Sequence, residues 1–254
     1  MNEAGKKPPD PPSSATVYLK HRVLAMFPFF NEEGKLSDLV ARISPLQADE
    51  FLGVNDGSTD NGPALLSARG IKYINQSHRG VGSCIKAAIQ YARQHGFDVL
   101  VVMAGNGKDD PAQIPDLLCP ITEGRADYVQ GSRYLPGGSS QNLPVFRNLA
   151  IRILSLFFRL YMRGECTDLT NGFRAYRLAL LDDPRINIQQ SWLDGYEFEY
   201  YLHWKAIHCG YRMTEVPVRK TYPSAGVPYT KIVPFVGWWH MLRPFFLLAL
   251  GLRK

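Results

Sequence analysis

The 254-residue sequence is poor in cysteine, has no apolar run of membrane-spanning length, and carries no block of charge of one sign. Its four cysteines, Cys84, Cys119, Cys166 and Cys209, show no C-x-x-C spacing. That argues against a zinc site or a dithiol redox motif, and it predicts buried free thiols in a reducing, cytoplasmic compartment. The apolar stretch after Pro244, Phe245 to Leu252, is far shorter than the roughly 20 residues a spanning helix needs. No apolar export segment opens the chain. Lys, Pro, Asp and Ser dominate its start, which predicts a disordered tail over residues 1–20. Gly80 and Gly82 are only a fragment of G-x-G-x-x-G, and no G-x-S-x-G elbow is present, so neither a dinucleotide site nor a serine hydrolase is indicated. The net charge of +6 is spread without a basic run, which argues against nucleic acid as the partner.

What is present has the balance of a globular protein, with 45% apolar and 20% charged residues. Val23 to Phe27, Phe51 to Val54, Ile71 to Ile74, Val99 to Met103 and Tyr128 to Gln130 read as strands. Between them, Leu36, Leu39, Val40 and Ile43, then Cys84, Ala87, Ala88 and Tyr91, then Ile114, Leu117, Leu118 and Ile121 mark amphipathic helices. Continuous apolar strands alternating with such helices predict an α/β fold with a mostly parallel central sheet covered on both faces. Ligands of such sheets sit at the carboxyl ends of the strands. Here those ends are Pro28 to Glu32, Asn55 and Asp56, Ala104 to Asn106, and Gly131 to Arg133.

The second half differs. Arg152, Arg159 and Arg163 form one stripe over residues 147–163, and Leu149, Ile153, Leu156, Phe157 and Leu160 cover much of the remainder. This is either a core-facing surface helix or one lying in a membrane interface. Residues 223–254, with Trp238, Trp239 and the apolar end, read as an amphipathic interfacial segment rather than a crossing. The alternative is a terminal helix that closes the core or a homo-oligomer interface. The domain proper is then expected over residues 21–222.

Asp56 stands beside Gly57 and Ser58 at a strand end, where a carboxylate can accept hydrogen bonds from a base and a ribose. Alone it is an ordinary turn. In order along the chain, Pro28, Asn31 and Glu32, then Val54 to Asp60, then Arg79 to Gly82, resemble the donor-binding half of family-two glycosyltransferases of the GT-A fold. Gly131 to Tyr134, Asp168 to Arg174 and Tyr211 to Val218 resemble the dolichol- and polyprenyl-phosphate sugar synthases within that family. The resemblance implies a UDP- or GDP-sugar donor and inverting transfer to an acceptor such as a polyprenyl phosphate. It implies nucleotide contacts from Pro28, Phe30, Glu32, Val54, Asp56 and Gly105. Arg133 would act near the sugar-phosphate junction and Arg147 on the acceptor phosphate, roles suited to a guanidinium fork.

One departure stands out. The family's pattern after the central strand carries two acids, and here Ala104 and Asn106 occupy their places, with Lys108 where a Gln is usual. Three readings follow. Asn106 with Asp109 or Asp110 holds Mg²⁺ or Mn²⁺, most ligands coming from the diphosphate and water. Alternatively Lys108 supplies the charge directly. Otherwise the chain binds a nucleotide sugar and is catalytically silent. Asp109 and Asp110 also precede Pro111, a good helix start, and can serve as caps. A hydroxyl acceptor would need a general base, for which Asp194, Glu199 and Asp168 are the candidates, and a phosphate acceptor would need none. If residues 194–199 are helical, Asp194 and Glu197 share a face and Glu199 points elsewhere. The expectation is a peripheral enzyme on the inner membrane face.

Overall fold

Seven short strands form one sheet among the described residues, and one of them runs against its neighbours. The computed structural model describes residues 21–162, 166–222, 239, 243–244, 246–248 and 250–253. The expected tail at 1–20, Arg163, the side chain of Phe157 and most of the expected interfacial segment lie outside the described residues.

Strands β1 (Val23–Phe29), β2 (Glu50–Asn55), β3 (Lys72–Asn75) and β4 (Val99–Val102) alternate with helices α1 (Glu33–Val40), α2 (Gly62–Ala68) and α3 (Val81–Gln94). Helix α4 (Ile114–Thr122) leads into β5 (Tyr128–Ser132), and β6 (Ser139–Gln141) precedes the long helix α5 (Val145–Met162). Then follow β7 (Arg174–Arg177), α6 (Glu197–His208), β8 (Met213–Pro217) and β9 (Arg219–Thr221). The sheet order is β3-β2-β1-β4-β7-β5-β8, and β6 pairs with β9 separately. Strand β7 runs antiparallel to both β4 and β5, while the other pairings in the large sheet are parallel.

Side chains alternate along β1 as a strand requires. Leu24 and Met26 pack with α3 and α6 through Ile85, Ile89, Phe198 and Leu202. Ala25, Phe27 and Phe29 face α1, α2 and α4 through Leu36, Leu66 and Leu117. Burial on both faces is why the strand reads as an unbroken apolar run, and each fully buried Leu or Phe contributes about 1.5–3 kcal/mol.

Strand β7 is absent from the sequence reading. Its first residue, Arg174, is a cation at 2% exposure. The guanidinium donates to the carbonyls of Asn171, Leu169 and Glu199 and to the Tyr128 hydroxyl, so its burial is compensated by four acceptors.

Helix α5 removes the core-facing reading of its apolar stripe. Ile151, Ser155 and Phe158 are buried, and Phe158 packs against Leu169 and Tyr200. Val145, Leu149, Ile153, Leu156 and Leu160 are all more than half exposed, Val145 at 84% and Leu160 at 72%. The apolar stripe legible in the sequence therefore points outward, together with exposed Arg152 and Arg159. Among the described residues no helix is long and apolar enough to cross a membrane.

Candidate active site

The carboxyl ends of β1 and β2 are laced into one platform. Asn31, in the left-handed region at φ 50°, accepts from the Thr59 amide, and its own amide donates to the Ser58 hydroxyl. Asp60 accepts from the Glu33 amide at 2.8 Å. Asp56, buried at the end of β2, collects four donors: Gln76 Nε2 at 2.7 Å, His78 Nδ1 at 2.8 Å, and the amides of Arg79 and Gly80 at 3.0 Å each. Four donors fill the acceptor sites of one carboxylate. Asp56 thus shapes the 76–80 loop, and an incoming base would have to replace one of these partners. His78 stacks on Phe30 with ring centres 4.1 Å apart. Glu32 pairs with Lys35 at 2.7 Å. The Val54 side chain lies in the core, so what it could offer a ligand is backbone.

The loop after β4 crosses close above β1. A Cβ on Gly105 would lie 2.2 Å from the Pro28 carbonyl oxygen, so only glycine allows this approach. Asp109, 1% exposed, accepts from the Ala104 amide at 2.8 Å and pairs with Lys220 at 2.8 Å. Lys220 also donates to Asn171. Asp110 caps the short 3₁₀ turn Pro111–Gln113 through the Ala112 amide and stands 3.7 Å from Arg42. Lys108 lies over the Tyr222 ring at 5.5 Å, and its carbonyl accepts from the Thr221 amide. Burial, and then the nearby Lys220 and Arg147, push the Lys108 ammonium down to about 8. The loop after β4, strand β9 and the start of α5 therefore converge on one cationic group.

Arg133 occupies a different place from the one expected. Its guanidinium is buried in a fork-to-fork pair with Asp168, both contacts at 2.6 Å, and it also donates to Thr170 and the Tyr222 hydroxyl. The backbone amide of Arg133 completes the set at Asp168. With its fork committed, Arg133 holds the 168–171 turn against β5.

The segment around residue 194 is likewise not one helix. Helix α6 begins at Glu197, so Asp194 and Glu197 do not share a helical face. Asp194 docks on the start of α3: its carbonyl accepts from the Ser83 amide, and a Cβ on Gly82 would strike the Leu193 carbonyl at 2.0 Å. Its carboxylate pairs with Arg79 at 2.6 Å and Lys86 at 2.7 Å. Burial alone would raise its pKa, but the hydrogen bonds from Lys86 and Arg79 outweigh it and hold the group below the usual carboxylate range. A base so neutralised is a weak one. Glu199 lines the Gly172 turn, 3.8 Å from Arg174 Nε.

The glycosyl transferase family 2 model matches residues 25–183. Polyprenol monophosphomannose synthase of Mycolicibacterium smegmatis is 32% identical over 221 residues, 84% of this chain and 82% of that protein. The chain belongs to glycosyl transferase family 2. It is a glycosyltransferase. Undecaprenyl-phosphate mannosyltransferase of Micrococcus luteus is 31% identical over 204 residues, covering 78% of this chain and 82% of its own length. Glucosyl-3-phosphoglycerate synthase from Mycobacterium tuberculosis, solved with Mn²⁺, UDP and glucosyl-3-phosphoglycerate, shares the fold at a TM-score of 0.67. That match covers 92% of this chain and 81% of the other at 16% identity, and the GT-A architecture read from the motifs is the one observed.

A divalent metal fits these residues poorly. Among the described residues no three His, Cys, Asp or Glu side chains come together. The expected ligands are otherwise engaged: Asp110 is a cap, Asp109 is pinned between Ala104 and Lys220, and the Asn106 amide oxygen accepts from the Lys108 backbone at 3.4 Å. Sequence reasoning missed His78, Lys220 and Tyr222. Nothing in a strand-end pattern marks His78, and Lys220 and Tyr222 reach the site only because β9 runs beside the loop after β4.

Proposed function

We propose that this family member transfers a sugar from a UDP- or GDP-sugar to a polyprenyl phosphate, with inversion, at the cytoplasmic face of a membrane. The donor would lie over the ends of β1, β2 and β4, with the nucleoside near Pro28, Phe30, Glu32 and Asp56. The observation that carries the acceptor side is the placement of Arg147 at the root of α5, the helix whose outward face is apolar. A helix docked by that face in the lipid interface would bring a lipid phosphate to Arg147 without lifting its chain from the bilayer. The two relatives described above are named for polyprenol and undecaprenyl-phosphate mannose transfer, which agrees with this reading.

The chemistry favours a phosphate over a hydroxyl. A phosphate oxygen is already anionic and attacks the anomeric carbon without a base. The acceptor phosphate loses one negative charge as its new C–O bond forms. The departing diphosphate takes the electron pair of the broken bond and gains that charge, so no proton has to move. Asp194, tied to two cations, is poorly suited to the base a hydroxyl would need.

Flotation with anionic liposomes tests the membrane part. The protein is expected to rise with vesicles at low salt. Recovery in the soluble fraction with every vesicle composition would sink it.

A further inference from the structure

Transfer leaves a nucleoside diphosphate with added negative charge, and something at the end of β4 has to meet it. Dedicated carboxylates would do so by holding a divalent ion. In this chain those positions offer a methyl group at Ala104 and a neutral amide at Asn106. The two acids that follow serve the fold, Asp109 inside the protein and Asp110 as a cap. What the structure gathers there is an excess of positive charge: Lys108, with Lys220, Arg147 and Lys35 close enough to act on it against the carboxylate of Asp109. We propose that Lys108, backed by Arg147 and Lys220, stands in for the divalent ion: it binds the donor diphosphate and stabilises its departure, so that transfer runs without metal.

Three observations support this. The 104–110 loop is held at both flanks, by Asp109 on the Ala104 amide and by the Arg42 guanidinium on the Gly107 carbonyl at 2.7 Å. The Lys108 carbonyl is fixed by the Thr221 amide, so the lysine side chain starts from a rigid base. Among its neighbours the cations outweigh the acid acting on it, Asp109, although Lys220 and Lys35 are themselves paired with Asp109 and Glu32; a bound polyanion would relieve the repulsion that remains. An ammonium is a compact point charge suited to phosphate oxygens.

The inference rests on the donor reading above, and its test separates the two. Binding of UDP and of GDP is measured by calorimetry in EDTA and again with Mn²⁺, for wild type, Lys108→Gln and Lys108→Arg. One nucleotide is expected to bind wild type in EDTA. Lys108→Gln should weaken that binding about 100-fold, the scale set by removing one preorganised charge-stabilising group, while Lys108→Arg keeps most of it. Transfer should also run in EDTA, with Lys108→Gln lowering kcat more than it raises KM. Melting temperatures of both variants near that of wild type confirm that the loop is intact. Binding seen only with Mn²⁺, or an EDTA affinity that Lys108→Gln leaves within twofold, overturns the inference and leaves the donor reading standing. Equal loss in Lys108→Arg and Lys108→Gln overturns it as well. If neither nucleotide binds in either condition, the donor reading itself falls, and the inference with it.

Discussion

The two halves of the site handle charge in opposite ways. On the proposed donor side, Asp56 is surrounded by donors drawn from one short loop, and its carboxylate organises backbone that the proposed nucleotide would approach. On the proposed acceptor side, the charges most visible in the sequence, Arg133 and Asp168, neutralise each other in the interior, and the cations acting on Lys108 arrive from β9 and α5. A charged residue at a strand end is therefore no guide to function until its partner is known. For Asp56 the partners come from residues 76–80, 20 to 24 positions on, and only the fold brings them to the carboxylate. The same holds for Arg133, whose partner lies 35 residues away.

The sharpest way to break this contrast is to unpair the interior pair. Asp168→Asn leaves Arg133 as an uncompensated buried charge, and the expected loss is about 3–5 kcal/mol of stability by denaturant unfolding. A loss below about 1 kcal/mol, within the ordinary range of a surface ion pair, would show that Arg133 is not structural but available to ligands.

A smaller effect is expected on the donor side. Gly105→Ala places a methyl group against the Pro28 carbonyl. Forced displacement of the loop should cost about 1–3 kcal/mol, and it should weaken nucleotide binding along with stability. Unchanged nucleotide affinity would separate the loop after β4 from the donor site.

The smallest effect on stability belongs to the outward face of α5. Leu149→Ser with Ile153→Ser removes exposed apolar groups, so the fold should change by no more than about 0.5 kcal/mol per site. Liposome flotation should nevertheless fall sharply. Retained flotation would move the membrane contact elsewhere on the protein.

Much of the fold was legible because burial on both faces leaves a plain mark: β1, β2 and β4 are unbroken apolar runs. Strand β7 left no such mark, since its solvation problem is solved by carbonyls from two other segments, the 169–171 turn and helix α6, around Arg174. The apolar pattern of α5 was visible, but a core-facing stripe and a lipid-facing stripe have the same period. Only the burial of Ile151, Ser155 and Phe158 on the other side shows that this stripe does not face the core. The altered acids at Ala104 and Asn106 were plain from the sequence. Their consequence was not, because it depends on Asp109 being drawn inward by Lys220 and on Asp110 being used as a cap.

The most direct test of the account is the product. Wild-type protein is incubated with UDP-glucose or GDP-mannose and with liposomes carrying a polyprenyl phosphate, and the lipid fraction is analysed by mass spectrometry. The account predicts a glycosyl phosphopolyprenol, formed in step with release of the nucleoside diphosphate. Sugar appearing only on soluble hydroxyl acceptors, with the lipid phosphate unmodified, would contradict it.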